Sequence, residues 1–148
     1  MRNLLAVLGA GLLATAAGSE PADVKAERMR LQGTWQLVSE TLDGKEQPPE
    51  YVRQIKFTFD AEGNWRVEKD GKPLFRGTSA IDPAKNPKEM DSTLTAPEAN
   101  KGAAVRAIYR VEGDTYTQCW AVGRPRPRAF KADATAGHNL STYKRVEK

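Results

Sequence analysis

The chain of 148 residues offers little that could do covalent chemistry: one histidine, one cysteine, and scattered carboxylates and hydroxyls. His138 follows Ala136-Gly137 in a turn, and no second His, Cys or carboxylate is spaced to converge with it, as a metal site requires. A Ser-His-Asp arrangement needs a serine on a strained strand-to-helix turn, and no serine here has the flanking glycines of that motif. No glycine-rich phosphate loop is present. Acid pairs such as Glu68 and Asp70 fall at turn edges, where carboxylates are normally solvated. Cys119 has no partner for an internal disulfide and reads as a small buried side chain on a strand. These residues imply no catalytic site, no metal site and no cofactor, and the chain reads as a non-enzyme.

Two other groups could bind. The aromatic set Trp65, Tyr109, Tyr116 and Trp120 can line a pocket, with Gln118 and Arg76 as polar handles, because ligand sites combine apolar walls with a few placed polar groups. The same residues serve equally well as a filled aromatic core. Arg124, Arg126, Arg128 and Lys131 form a basic cluster, kept extended by the intervening prolines. It reads as a solvated loop or as a contact for an acidic partner. Without interleaved stacking aromatics it makes a poor nucleic-acid site.

The elements that must position these residues are strands. Ile55-Lys56-Phe57-Thr58-Phe59 alternates strictly, with its large side chains on one face. Further strands are expected over 34–42, 65–69, 74–81, 90–95, 103–112, 115–122 and 140–146, with a short one near Phe130. Turn signals at Asp43-Gly44, Gly63-Asn64, Asp70-Gly71 and Gly113-Asp114 separate them. The turn at Gly113-Asp114 pairs Glu112 with Thr115 and, stepping outward, Tyr109 with Gln118 and Ala107 with Trp120. One face then carries Val105, Ala107, Tyr109, Val111, Tyr116, Gln118, Trp120 and Val122. Arg106 and Arg110 lie on the other face, so the first faces the core. The same arithmetic at Asp70-Gly71 sets Val67 opposite Leu74 and Trp65 opposite Arg76. Eight or nine short strands in one run predict a sandwich or barrel. Pro48-Pro49 opens a helical turn to Arg53.

The first 18 residues read as a secretory leader: Arg2, an apolar run over Leu4–Ala17, then small residues at two possible cleavage points, Ala14-Thr15-Ala16 and Ala16-Ala17-Gly18. The run is shorter than the roughly 20 residues of a membrane-spanning helix. Residues 19–30 form a short helix and linker, with Val24, Arg28 and Leu31 on one side, and 31–148 form the main domain. This organisation predicts an exported protein, periplasmic or extracellular, without a transmembrane segment. Charge is uneven: residues 19–100 carry 12 basic and 15 acidic side chains, residues 101–148 carry 10 and 4. The overall excess is too mild to imply nucleic acid.

The segment Leu31-Gln32-Gly33-Thr34-Trp35-Gln36-Leu37-Val38-Ser39 resembles the opening of a lipocalin-like domain family of unknown function, abundant in planctomycete-type exported proteins. Asp43-Gly44-Lys45, Ile81-Asp82-Pro83 with Asn86-Pro87-Lys88, Met90-Asp91, Gly113-Asp114-Thr115 with Cys119, Arg126-Pro127 before Phe130, and Lys144-Arg145 belong to the same resemblance, which spans about Leu31 to Arg145. It implies an all-β, antiparallel, meandering lipocalin-like (calycin) barrel of eight or nine strands with an internal cavity, and no particular activity. The family tends to carry large apolar residues where Ser79, Ser92 and Gln118 stand. Gly33-Thr34-Trp35 also resembles the Gly-x-Trp entry of lipocalins, where a basic side chain from a late strand covers the tryptophan.

These readings lead to specific expectations. The domain is expected to be a monomer that holds a small, partly apolar ligand inside the barrel, and the alternative is an envelope interaction module, an inhibitor or scaffold, acting through its loops. Gln118 should lie inside beside Tyr109 and bond its hydroxyl, water or a ligand. Gly33, Trp35 and Arg145 should form a structural clamp, with Lys144 the other candidate for the cation. Arg126, read as a loop residue, should matter less to stability than Arg145.

Overall fold

The computed structural model describes residues 20–147; the expected leader over 1–18 lies outside them. Helix α1 (Ala22–Leu31) leads into strand β1 (Gly33–Leu42), the short β2 (Lys45–Glu46) and helix α2 (Pro49–Gln54). Strands β3 (Ile55–Phe59), β4 (Asn64–Lys69), β5 (Lys72–Asp82), β6 (Lys88–Ala96), β7 (Ala104–Glu112), β8 (Thr115–Val122) and β9 (Asn139–Glu147) follow. Each pairs antiparallel with the next, in the order β2-β1-β3-β4-β5-β6-β7-β8-β9. Pairing of β1 with β9 closes the sheet, so eight strands make a lipocalin-like barrel and β2 hangs from the end of β1. Closure removes the exposed edges that an open sheet would present.

Alternation explains most of the interior. Ile55, Phe57 and Phe59 of β3 are buried while Lys56 between them is exposed. The β7–β8 hairpin pairs Tyr109 with Gln118 and Ala107 with Trp120, as a two-residue turn at Gly113-Asp114 requires. The outer face of this hairpin is also covered. Residues 123–138 fold back over it, with Pro127 fully buried and Cys119 donating its thiol to the Lys131 carbonyl at 3.4 Å. Arg110 lies 4.4 Å above the Phe130 ring. The strand expected near Phe130 is therefore a packed loop, whose only ladder pairing among the described residues is a bridge between Asp133 and His138.

The expected register of β4 against β5 is corrected. The Asp70-Gly71 turn, with φ of 51° and 75°, sets Lys69 opposite Lys72 as an Asp-Gly hairpin should. A bulge then skips Leu74, so Val67 faces Phe75 and Trp65 faces Gly77. One extra residue reverses every later side chain. Arg76 is thereby exposed on the outer wall, opposite Arg66, and takes no part in the interior. Gly77 is buried against the Trp65 indole, and a Cβ there would come within 2.3 Å of Trp65 Cζ2.

Helix α1 crosses the end of the barrel where β1 begins and β9 ends. It buries the charged Glu27 and Arg28 beside the apolar Leu31. Arg28 donates to the Ser79 carbonyl at 2.9 Å and pairs with Glu20 at 2.7 Å. Glu27 pairs with Lys88 at 2.9 Å, and Arg30 donates to the Val111 carbonyl at 3.0 Å. The expected face of Val24, Arg28 and Leu31 is the packed one, with Leu31 at its centre. No helix of the described residues is long and apolar enough to cross a membrane.

Candidate binding site at the open end of the barrel

The closed end is filled by rings. Tyr116, fully buried, stands 5.6 Å from Trp35, 5.7 Å from Phe59 and 5.6 Å from Tyr143, centroid to centroid. Tyr109 lies 6.3 Å from Tyr116 on the same floor. Phe57 stacks on Trp65 at 5.3 Å. Such spacings are those of packed aromatic pairs, with no room for a ligand between the rings. Gln118 points inward and is buried, but its partner is not the Tyr109 hydroxyl. Tyr116 donates its hydroxyl to Gln118 Oε1 at 2.6 Å, and Tyr109 Oη is left buried without a partner, as is Trp65 Nε1. Burial pushes the Tyr109 and Tyr116 hydroxyls far above the ordinary tyrosine range, and the Glu27 carboxylate adds to the effect at Tyr109.

Trp35 and Arg145 face one another across the β1–β9 seam. The Arg145 guanidinium lies 4.1 Å over the Trp35 ring. Its nitrogens donate to the Gln32 carbonyl at 2.8 Å and to the Arg30 carbonyl, both at the C-terminal end of α1. Trp35 Nε1 donates to the Leu31 carbonyl at 2.8 Å. Gly33, with φ of 116°, makes the turn from helix to strand that brings these groups together. Lys144 points away and bonds Thr115.

The open end is different. It holds a buried carboxylate that alternation along β1 does not foresee. Counting by two from Trp35 puts Leu37, Ser39 and Thr41 inside and Glu40 outside. A bulge between Leu37 and Ser39 shifts the phase, so Val38 and Ser39 are exposed and Glu40 is 7% exposed. Glu40 Oε2 accepts the Ser141 hydroxyl at 2.6 Å, and Ser141 Oγ accepts Trp120 Nε1 at 2.9 Å. Because Ser141 has one proton and gives it to Glu40, the three side chains form a directed chain. Burial raises the Glu40 carboxyl above its usual range, and the Ser141 bond offsets part of that rise. Among the described residues no basic side chain pairs with it. Burial also raises the hydroxyls of Tyr51, on α2, and Tyr143, on β9, and the Glu40 charge contributes at both.

The side chains near this carboxylate are mixed in character. Trp120 is half-buried, Asn139 accepts the Asp43 backbone N–H at 3.0 Å, and Lys69 Nζ lies 5.4 Å from the Tyr51 ring centroid. Helix α2 is tied beside the site by Gln36, whose amide donates to the Val52 and Ile55 carbonyls at 3.1 and 3.0 Å. On the outside, a groove of about 600 Å³ runs between β1 and the β2–α2 connection, lined by Val38, Pro48, Pro49 and Arg53 among others.

Of the expected pocket residues, Trp120 bonds into this site, and Gln118 stands opposite Ser141 with its Oε1 taken by Tyr116. Trp65, Tyr109 and Tyr116 belong to the packed floor, and Arg76 lies outside. The basic loop is not a free arm. Arg126 donates to the Ala107 carbonyl at 2.7 Å and the Met90 carbonyl at 3.1 Å and pairs with Asp91. Arg124 and Arg128 remain exposed. His138 bonds the Pro125 carbonyl through Nε2 at 3.1 Å. No group of His, Cys, Asp and Glu among the described residues could hold a metal ion. Protein-family models and curated proteins were both compared with the chain, and none matches it.

Proposed function

We propose that the domain is an exported, non-enzymatic binding protein that holds a small, partly apolar molecule at the open end of its barrel. The observation that carries this is the Glu40–Ser141–Trp120 chain. A buried carboxylate without a cation destabilises a fold, and perturbed carboxylates of this kind concentrate at functional sites. The half-buried Trp120 indole supplies an apolar wall beside it. The packed aromatic floor supports a ligand seated above the rings and not among them. The leader-like N-terminus and the resemblance to exported lipocalin-like domains support the same reading.

Native mass spectrometry of the protein purified from its producing cells tests it. An adduct of small-molecule mass is expected, and Trp120→Ala should remove it while leaving the protein folded. A single unliganded mass, together with no thermal shift from any small amphiphile, would count against the reading. The alternative, an interaction module acting through the 123–128 loop, is left with Arg124 and Arg128, because Arg126 is consumed in anchoring the loop.

A further inference from the structure

We propose that the molecule bound at the open end carries a positively charged amine, received by the Glu40 carboxylate against the faces of Trp120 and Tyr51. This rests on the binding reading above and specifies its ligand. The argument starts from charge. Glu40 is more than nine-tenths buried, yet its partner among the described residues is a neutral hydroxyl. A carboxylate removed from water is either protonated or matched by a cation.

The second solution requires Glu40 to ionise, and the hydrogen bonds at the site suit that form. Trp120 Nε1 donates to Ser141 Oγ, and Ser141 donates its proton to Glu40 Oε2. The carboxylate is thus presented as an acceptor, with Oε1 not used in that bond. The Tyr51 and Tyr143 hydroxyls feel the Glu40 charge, and their raised titration keeps them neutral. The Lys69 ammonium rests over the Tyr51 ring, 5.4 Å from its centroid. That contact shows an aromatic face here already receiving an ammonium group, as cation–π attraction allows. A ligand amine placed between such faces and Glu40 would gain a charge-assisted hydrogen bond in a site of low polarity.

Three probes of matched shape separate the possibilities: phenethylamine, 2-phenylethanol and 3-phenylpropanoate, titrated calorimetrically into the full-length protein after export. The amine is expected to bind roughly tenfold or more tightly than the alcohol, and the carboxylate to bind least. Glu40→Gln should abolish the amine's advantage over the alcohol, and circular dichroism should show the same fold. Amine affinity should rise with pH as Glu40 ionises, and Glu40→Gln should flatten that rise. Equal affinity for amine and alcohol, or an amine affinity unchanged in Glu40→Gln, overturns the amine assignment while the binding reading stands. Failure of all three probes in the wild-type protein overturns the amine assignment, and a single unliganded mass in native mass spectrometry would overturn the binding reading with it.

Discussion

Replacing Arg145 with Ala should destabilise the fold by about 3 kcal/mol. The side chain is 10% exposed, so solvent screens it little. Its stack on Trp35 contributes roughly 0.5–2 kcal/mol. Hydrogen bonds from a charged donor contribute about 1.5–3 kcal/mol each, and the Arg30 and Gln32 carbonyls would lose theirs together, so the two losses do not simply add. The contact with Asp114 adds almost nothing, since that carboxylate is 78% exposed and 3.6 Å away. For a domain of this size such a loss lowers Tm by roughly 10 °C. Urea denaturation followed by tryptophan fluorescence gives the free energy directly. Arg145→Lys should recover less than half, because one ammonium cannot reach two carbonyls and lie flat on an indole. A loss below about 1 kcal/mol for Arg145→Ala would refute the reasoning, since one such hydrogen bond alone exceeds it. Arg126→Ala is the informative comparison. Read from sequence it belongs to a loop and should cost little. Its bonds to the Ala107 and Met90 carbonyls predict a loss of similar size to that of Arg145.

Gly77→Ala should cost about 3 kcal/mol or more by overpacking, because the added carbon meets both the Trp65 ring and the Thr93 carbonyl at 2.6 Å; a double-mutant cycle with Trp65→Leu should show partial relief, and additive losses would remove the Trp65 share of the explanation. Gln118→Leu orphans the fully buried Tyr116 hydroxyl and should cost roughly 1–3 kcal/mol, whereas adding Tyr116→Phe should restore most of it, as chemical denaturation can check. At alkaline pH the raised hydroxyls of Tyr109, Tyr116 and Tyr143 stay protonated in the fold while the unfolded chain ionises, so stability should fall as pH climbs above about 10. Absorbance at about 295 nm should then register these tyrosines only as the protein unfolds; ionisation within the intact fold would contradict their burial. The Cys119 thiol, buried and raised by burial, should resist a thiol reagent until denaturant is added.

The sequence by itself determined the barrel's meander. Period-two alternation at Ile55–Phe59 and turn chemistry at Gly113-Asp114 act between neighbours in the chain, so the inward faces of β3, β7 and β8 could be read directly, Gln118 included. The closeness of Trp35 to a basic side chain of the last strand was legible for a related reason: a closed meander must join its first and last strands. Tertiary structure decided what two bulges did to that periodicity. The bulge that skips Leu74 sent Arg76 outward and put Gly77 under Trp65, and the bulge at Val38 turned Glu40 inward. Neither leaves a clear signature in the sequence, because a bulge is chosen by how two strands fit the curvature of the closed sheet, and that fit depends on residues distant in the chain. The same holds for the Tyr116 hydroxyl's choice of Gln118 and for Arg126. Their partners were set by which acceptors the finished packing left open, and the Glu40 carboxylate was brought to Ser141, about a hundred residues away, only when β9 closed on β1.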